Sequence, residues 1–468
     1  MHHIRVRTAS GWLLGLLVLS LLLGACGTSD EDSRGSESTR PAETATATEQ
    51  PESTATEPAA TPTEAAPVID ATRVQPDISP ADRAALVEGL NRFAVELYHA
   101  AAAESDDNAN LIFSPASISL AFSMVYAGAR GETEAQMAEV LGFLPQDTQH
   151  AAANALDQHL ASLGAEPPPA GTEEGEPFQL SIANGVWGQQ GFPFLDEFLK
   201  TLVAHYGAEL RQADFINAAE DARQEINAWV SERTEGRIPE AVPKDVLDEM
   251  TRLVLANAIY FKAGWLRPFD EDATTDGPFT LLDGSQVTVP LMRQAGASIP
   301  YAEGNGYQAV VMPYTGWQVE MVLVLPAEGS FEQLEAGMTA DFFEQVRSSA
   351  ETHSVALTMP RFEFESRLAL HEILPGMGMA APFDADAADF SGIAAPPSDL
   401  FISAALHQAN ITVDEKGTEA AAVTVLGVEA TGLPTPAEIT LDRPFLFAIV
   451  ERETGAVLFM GRVTNPSG

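Results

Sequence analysis

Ser114 and His407 are the residues of this chain that could act as nucleophile and general base, with some distant acid completing a hydrolytic triad. Their surroundings point elsewhere. Ser114 lies in "NLIFSPASISLAFSMVYAGA", where Ser-Pro-Ala-Ser introduces a strongly apolar helix and offers capping oxygens. His407 lies in "LFISAALHQANITVDE", an alternating, strand-like segment. Buried hydrogen bonding is the expected role of both, so the expected catalytic set is empty and the chain is not expected to be an enzyme. A single cysteine, Cys26, excludes a thiolate zinc site, and "HEILP" at His371 to Pro375 stops short of a His-Glu-x-x-His helix. Neither a Gly-x-Ser-x-Gly elbow nor a phosphate loop ending in Gly-Lys-Ser/Thr occurs. "GMGMAA" at Gly376 to Ala381 loosely matches a dinucleotide fingerprint, but it follows a predicted helix, "SRLALHEIL", where a strand is required. No metal and no cofactor are expected.

One further stretch has unusual chemistry. "VDEKGTEAAAVTVLG", Val413 to Gly427, follows an acidic turn with Ala420, Ala421 and Ala422, which suit a helix, and then Val423, Thr424 and Val425, which suit a strand. The segment is undecided between two conformations.

The elements that must position these residues begin after a processed N-terminus. His2, His3, Arg5 and Arg7 precede an apolar run from Trp12 to Leu23 that is too short to span a bilayer comfortably, which describes a secretory signal peptide over residues 1–25. Leu23-Gly24-Ala25-Cys26 looks like a bacterial lipobox, in which Cys26 would be acylated. Residues 26–76 are rich in Thr, Glu, Ala, Pro and Ser, cannot offset their ordering entropy by burial, and read as a solvated tether. The expected location is extracellular or cell-surface, lipid-anchored to a membrane. The formal net charge of -42 disfavours nucleic acid and anionic lipid head groups as partners, and no nucleic-acid partner is expected. Residues 77–468 carry mixed apolar patterning throughout, interrupted by the low-complexity loop "GAEPPPAGTEEGEPF".

Recurring apolar faces predict helices over Pro80 to Ala103, Pro115 to Gly128, Thr133 to Leu141 and Ala219 to Glu235. Strands are predicted at "FQLSIANGVWGQ", "TRLVLANAIYFKAGW", "SQVTVPLM", "YQAVVMPY", "QVEMVLVLP", "SVALTMPRFEFES", "LFISAALHQANITVDE" and the hairpin "RPFLFAIVERETGAVLFMGRV". Helices come first and long strands later, without regular alternation, which indicates an α+β fold with large mixed sheets.

At this point the sequence resembles a known family. "NLIFSPASISLAFSMVYAGARGETEAQM", "INAWVSERTEGRIPEAVP", "LDEMTRLVLANAIYFKAGWLRPFDEDAT", "DEKGTEAAAVTV" and "DRPFLFAIVERETGAVLFMGRV" stand in the order and spacing of the serpins, covering essentially all of 77–468. The whole resembles a bacterial serpin carried as a lipoprotein. The resemblance implies the serpin fold, helices packed on large mixed sheets with an exposed reactive-centre loop, and inhibition of serine-type endopeptidases by suicide-substrate trapping. The cleaved loop would insert as a strand into the main sheet. The alternative is a non-inhibitory serpin acting as a binding or structural protein.

Carried over residue by residue, the resemblance makes Glu415, Gly417, Thr418, Glu419, Ala420, Ala421 and Ala422 the hinge. On insertion Thr418, Ala420, Ala422, Thr424 and Leu426 would face inward and Glu419, Ala421 and Val423 outward. Ser114, Ser117, Asn257 and His407 match the cluster beneath the sheet known as the shutter. Trp265 matches the breach tryptophan, and Arg361 in "MPRFEF" takes the place of the usual lysine partner of Glu415. Counting about sixteen positions on from Glu415 puts the scissile bond between Thr431 and Gly432, with Ala430 and Leu433 as alternatives because this loop is longer than usual. Thr431 or Ala430 would suit an elastase-like or subtilisin-like protease and Leu433 a chymotrypsin-like one. "ALDQHLASLGAEPPP" lacks Lys and Arg, which argues against glycosaminoglycan activation. A monomer is expected.

Overall fold

The computed structural model describes residues 72–467 apart from 107, 165–177, 209, 397–399 and 419–435. Cys26, the hinge residues from Glu419 to Ala422, and Ala430, Thr431, Gly432 and Leu433 lie outside the described residues.

The first part of the chain is mainly helical: α1 (Pro80–Glu104), β1 (Leu111–Phe113), α2 (Pro115–Tyr126), α3 (Gly131–Leu141) and α4 (Gln146–Ser162). There follow β2 (Gln179–Gln189), α5 (Asp196–Thr201) continued by a π-helical turn Leu202–Tyr206, β3 (Leu210–Ala213), α6 (Phe215–Arg233) and β4 (Leu253–Gly264). The next run is β5 (Thr275–Thr280), β6 (Gln286–Gly304), β7 (Tyr307–Pro313), β8 (Val319–Pro326), α7 (Phe331–Ala336) and α8 (Phe342–Ser349). The chain ends with β9 (Glu351–Pro360), β10 (Phe362–Ala369), α9 (Leu370–Gly376), β11 (Leu406–Val413), β12 (Gly417–Thr418), β13 (Ala437–Thr440), β14 (Phe445–Glu451) and β15 (Val457–Val463).

Strand alternation explains the layers. In β4, Ile259, Phe261 and Ala263 point to one face; in β11, Ala409, Ile411 and Val413 do the same, and all six belong to one apolar cluster with Leu323, Phe445 and Phe447 of β8 and β14. Every residue of β8, β14 and β15 is buried, as expected for strands covered on both sides. These three belong to a nine-stranded sheet ordered β1-β15-β14-β8-β7-β6-β9-β13, with β5 added on β6. The second sheet is ordered β10-β11-β12-β4-β2-β3. Helix α2 is buried along its whole length, which accounts for its all-round apolar sequence, and Ser114 caps it by accepting from the Ser117 amide, with Pro115 at the first helical position.

Some local expectations shift. "SRLALHEIL" divides into the end of β10 and the short helix α9, because Ser366, Arg367, Leu368 and Ala369 pair with Ala409, Gln408, His407 and Leu406 of β11 in turn. "SVALTMPRFEFES" is two strands, broken at Arg361 after Pro360, whose missing amide cannot continue a ladder. Helix α4 and the short strands β1, β3, β5, β12 and β13 were not among the predicted elements.

Candidate functional site

The site is the seam between β4 and β11. These two strands run in the same direction, and β12 lies between them, antiparallel to both: Thr418 pairs with Val413 on one side and Ala263 on the other, and Gly417 with Gly264. Among the described residues no ladder joins β4 to β11 directly. The seam is thus wedged at one end by Gly417 and Thr418. Below the wedge it widens into a cavity of about 170 Å³ lined by Val254 to Asn257, Leu406 and His407.

The chain reaches the wedge through a tight turn built by Asp414. Its carboxylate accepts from the Lys416 and Gly417 amides at 2.9 and 3.1 Å, while its own amide donates to Gly417 O at 2.9 Å. Burial pushes the Asp414 carboxyl above its ordinary value, against the lowering effect of those amides. Gly417 has φ +156, and a Cβ there would stand 2.2 Å from Ala263 O, so only glycine lets the backbone sit this close to β4.

Trp265 fastens the turn. Its backbone amide donates to Lys416 O at 2.7 Å and its indole Nε1 to Asp414 O at 3.0 Å. The ring stacks on Tyr314 with centroids 4.6 Å apart and planes 12° from parallel. Tyr314 in turn hydrogen-bonds Thr418 Oγ1 at 2.9 Å, and its complete burial raises the phenol above its ordinary value. Thr418, 3 % exposed, therefore points into the core on the same face as Ala263 and Val413.

Glu415 is 2 % exposed, and each carboxylate oxygen has a partner. Oε2 receives Arg361 Nε and Nη2 at 2.7 and 2.6 Å, and Oε1 receives Thr274 Oγ1 at 2.5 Å. Phe269 donates its amide to Glu415 O at 2.7 Å. Arginine in place of lysine adds a second donor to the same oxygen. Sequence reasoning missed Tyr314, Asp414, Thr274 and Phe269; the final Tyr of "YQAVVMPY" and the Asp of "VDEKG" were visible, but only the fold brings them to Trp265.

A second cluster lies further down the seam. Ser117 Oγ donates to Asn257 Oδ1 at 2.7 Å; Asn257 Nδ2 donates to Ser117 O at 3.0 Å and to Asn184 Oδ1 at 2.7 Å. His407 Nε2 accepts the backbone N–H of Ser114 at 3.0 Å. Its other nitrogen, Nδ1, is buried with no hydrogen-bond partner among the described residues. Burial lowers the His407 pKa from 6.5 to about 3, so the ring is neutral, with its proton on Nδ1.

This geometry does not make a nucleophile. The Ser114 hydroxyl accepts from the Ser117 amide at 3.2 Å, and His407 contacts the Ser114 main chain rather than its side chain. Among the described residues no acid orients the imidazole, and Ser114 is fully buried. Among the described residues no group of three or more His, Cys, Asp or Glu is placed to hold a metal ion, and no helix is long and apolar enough to cross a membrane.

What the arrangement can do is accept a strand. Carrying the β12 register past Thr418 would give each further residue a partner on both sides, one from β4 and one from β11. Ser114, Ser117, Asn257 and His407 would lie beneath that path. Glu415, Trp265 and Arg361 hold its entrance.

The chain is similar to known proteins over most of its length. A family described as "Serpin (serine protease inhibitor)" matches residues 88–466. A serpin-like protein of Thermococcus kodakarensis is 38% identical over 81% of this chain and 86% of its own length. Leukocyte elastase inhibitor A of Rattus norvegicus is 37% identical over 80% of this chain and 97% of its own. Among solved structures, the thermophilic serpin tengpin in its native state superposes with a TM-score of 0.73 at 28% identity, covering 85% of this chain and 97% of that one. Thyroxine-binding globulin complexed with thyroxine superposes with a TM-score of 0.69 at 32% identity, over 81% and 99%.

Proposed function

This chain belongs to the serpin family, and from that premise we propose that it inhibits serine endopeptidases as a suicide substrate. The observation that carries the reading is the two-residue strand β12, seated between β4 and β11 at the head of a seam that no described strand fills. The protease's serine oxygen attacks the carbonyl carbon of the scissile bond, the C–N bond breaks, and the new amine leaves with the C-terminal segment. The loop then remains ester-linked to the protease through its new end. Insertion continues from Thr418, so that 420, 422 and 424 follow it onto the inner face. By the register of β12, position 420 comes opposite Phe261 and Ile411, 422 opposite Ile259 and Ala409, and 424 opposite Asn257 and His407. Ala420 and Ala422 are small enough for the first two places. Thr424 brings a hydroxyl acceptor to the unpartnered His407 Nδ1–H.

The reactive bond is placed between Thr431 and Gly432, and the preferred target is an elastase-like or subtilisin-like protease, in keeping with the leukocyte elastase inhibitors among the relatives. If Leu433 precedes the cut instead, the target is chymotrypsin-like. Incubating the protein with one protease of each class and running a denaturing gel tests this. A covalent adduct at the summed mass less that of the C-terminal peptide, with the released peptide mapped by mass spectrometry, is expected. Cleavage without adduct by every protease would favour a non-inhibitory serpin, as the likeness to a thyroxine-binding protein allows. The tether and Cys26 complete the proposal: a lipid-anchored inhibitor held off the membrane surface.

A further inference from the structure

We infer that the groove beside Trp317 is a binding site for a small planar aromatic monocarboxylate, separate from the seam and independent of the inhibitory reading. The turn joining β7 to β8 carries two successive residues of positive φ, Gly316 at +91 and Trp317 at +61. Glycine or asparagine suits such a position; a tryptophan there is disfavoured, and backbone strain of this kind collects at ligand sites. Trp317 nonetheless remains 43 % exposed, and it is the only aromatic among the large apolar side chains left exposed in the described residues.

The groove it borders encloses about 270 Å³, with apolar walls from Leu266, Ile299, Pro300, Met312 and Pro313. Two guanidinium groups line it, Arg267 and Arg452. Arg452 stacks 5.2 Å from the Trp317 ring centre, held there by Glu320 at 3.2 Å and by its own bond to Trp317 O at 3.3 Å. The Arg267 side chain is exposed and, among the described residues, has no hydrogen-bond or ion-pair partner. An apolar trough with one free fork of donors and a flat cation–π platform recognises a flat apolar body bearing one anionic group.

Size and charge narrow the class. A cavity of about 150 Å³ accepts benzene, so this one accommodates about two fused rings with a carboxylate. The formal charge of -42 repels polyanions from the surface as a whole, so a single negative charge matched to Arg267 is favoured over a phosphate chain or an acidic peptide.

The probe is 2-naphthoate, titrated against the full chain and followed by tryptophan fluorescence. Saturable binding with a dissociation constant on the order of 10 µM is expected for a ligand of this size. Trp317→Leu and Arg267→Gln should each weaken it about tenfold or more, and the neutral analogue 2-naphthalenemethanol should bind about tenfold more weakly than the acid. Melting curves of both variants establish that they fold. Should a folding defect compromise Trp317→Leu, the exposed Arg267→Gln and the neutral analogue still decide the matter. Unsaturable binding, equal affinity for acid and alcohol, or unchanged affinity in both variants would overturn the site. Tighter, Arg267-dependent binding of an acidic peptide would also overturn it, in favour of a protein-docking surface.

Discussion

At the residue scale, the account rests on polar groups placed where they cannot reach water. Glu415 is tolerated at 2 % exposure because Arg361 and Thr274 satisfy it, whereas His407 is tolerated because it is neutral. The second fact has a consequence for pH. Burial lowers His407 to about 3, and burial, followed by the nearby charges of His205 and Arg130, lowers His150 to about 4. The unfolded chain takes up both protons as pH falls below about 6.5, while the folded chain does not until pH 4 or below. More protons on the unfolded state mean that stability rises with pH through this window, so acidification from 6.5 toward 4 destabilises the fold. Each fully buried histidine adds a slope of up to about 1.4 kcal/mol per pH unit. His407→Gln should lower stability at neutral pH and also flatten the pH dependence between 6.5 and 5, measured by urea unfolding of both proteins across that range. Identical slopes would mean that His407 is not kept neutral by the fold.

At the element scale, the central feature is β12, a strand of two residues between neighbours that both run well beyond it. If Thr418 starts the inward face, Thr418→Arg forces a cation against Tyr314, where no acid is bonded among the described residues, and insertion slows more than cleavage does. Such a variant should still be cut at the same bond yet release active protease, raising the number of inhibitor molecules consumed per protease several-fold; an unchanged stoichiometry in a gel and activity titration would refute the inward placement. Gly417→Ala adds a methyl 2.2 Å from Ala263 O and should unseat β12 from β4, reported by a red shift of Trp265 emission as its indole loses Asp414 O. The long strands were legible in the sequence because alternation survives in "TRLVLANAIYFKAGW" and "QVEMVLVLP". Helix α4 was not: "QDTQHAAANALDQHLAS" packs alanines, whose apolar stripe is faint, and Pro145 gives it no side-chain cap. A two-residue strand such as β12 carries no periodicity at all. Glu415, Gly417, Thr418, Trp265 and Arg361 were legible as a group through the serpin resemblance, while Tyr314, Asp414 and Thr274 join them only through contacts between segments over a hundred residues apart.

At the scale of the whole molecule, the proposal joins two separable functions in one chain: an address and a spring. The address is the N-terminal region, and its proposed acylation at Cys26 predicts that the mature protein partitions with membranes, since a processed lipoprotein cysteine carries the two or more acyl chains that stable anchoring requires. Cys26→Ser should release the protein or leave its precursor uncleaved, and equal membrane recovery of mutant and wild type after fractionation would remove the anchor from the account. The spring is the seam. Filling it with a strand paired on both sides adds roughly a dozen ladder bonds, each contributing about 0.5–1.5 kcal/mol net, or on the order of 10 kcal/mol together. That equals the stability of an ordinary domain, so on this proposal the uncleaved protein would be a kinetically held state. An ordinary loop, when nicked, gains chain freedom and loses stability. The decisive measurement is a thermal melt of intact protein beside protein nicked near Thr431 by a protease that escapes capture, with the cut mapped by mass spectrometry and both fragments shown to remain associated. The account predicts a melting temperature raised by about ten degrees or more in the nicked form; a nicked form that melts at or below the intact one would contradict it.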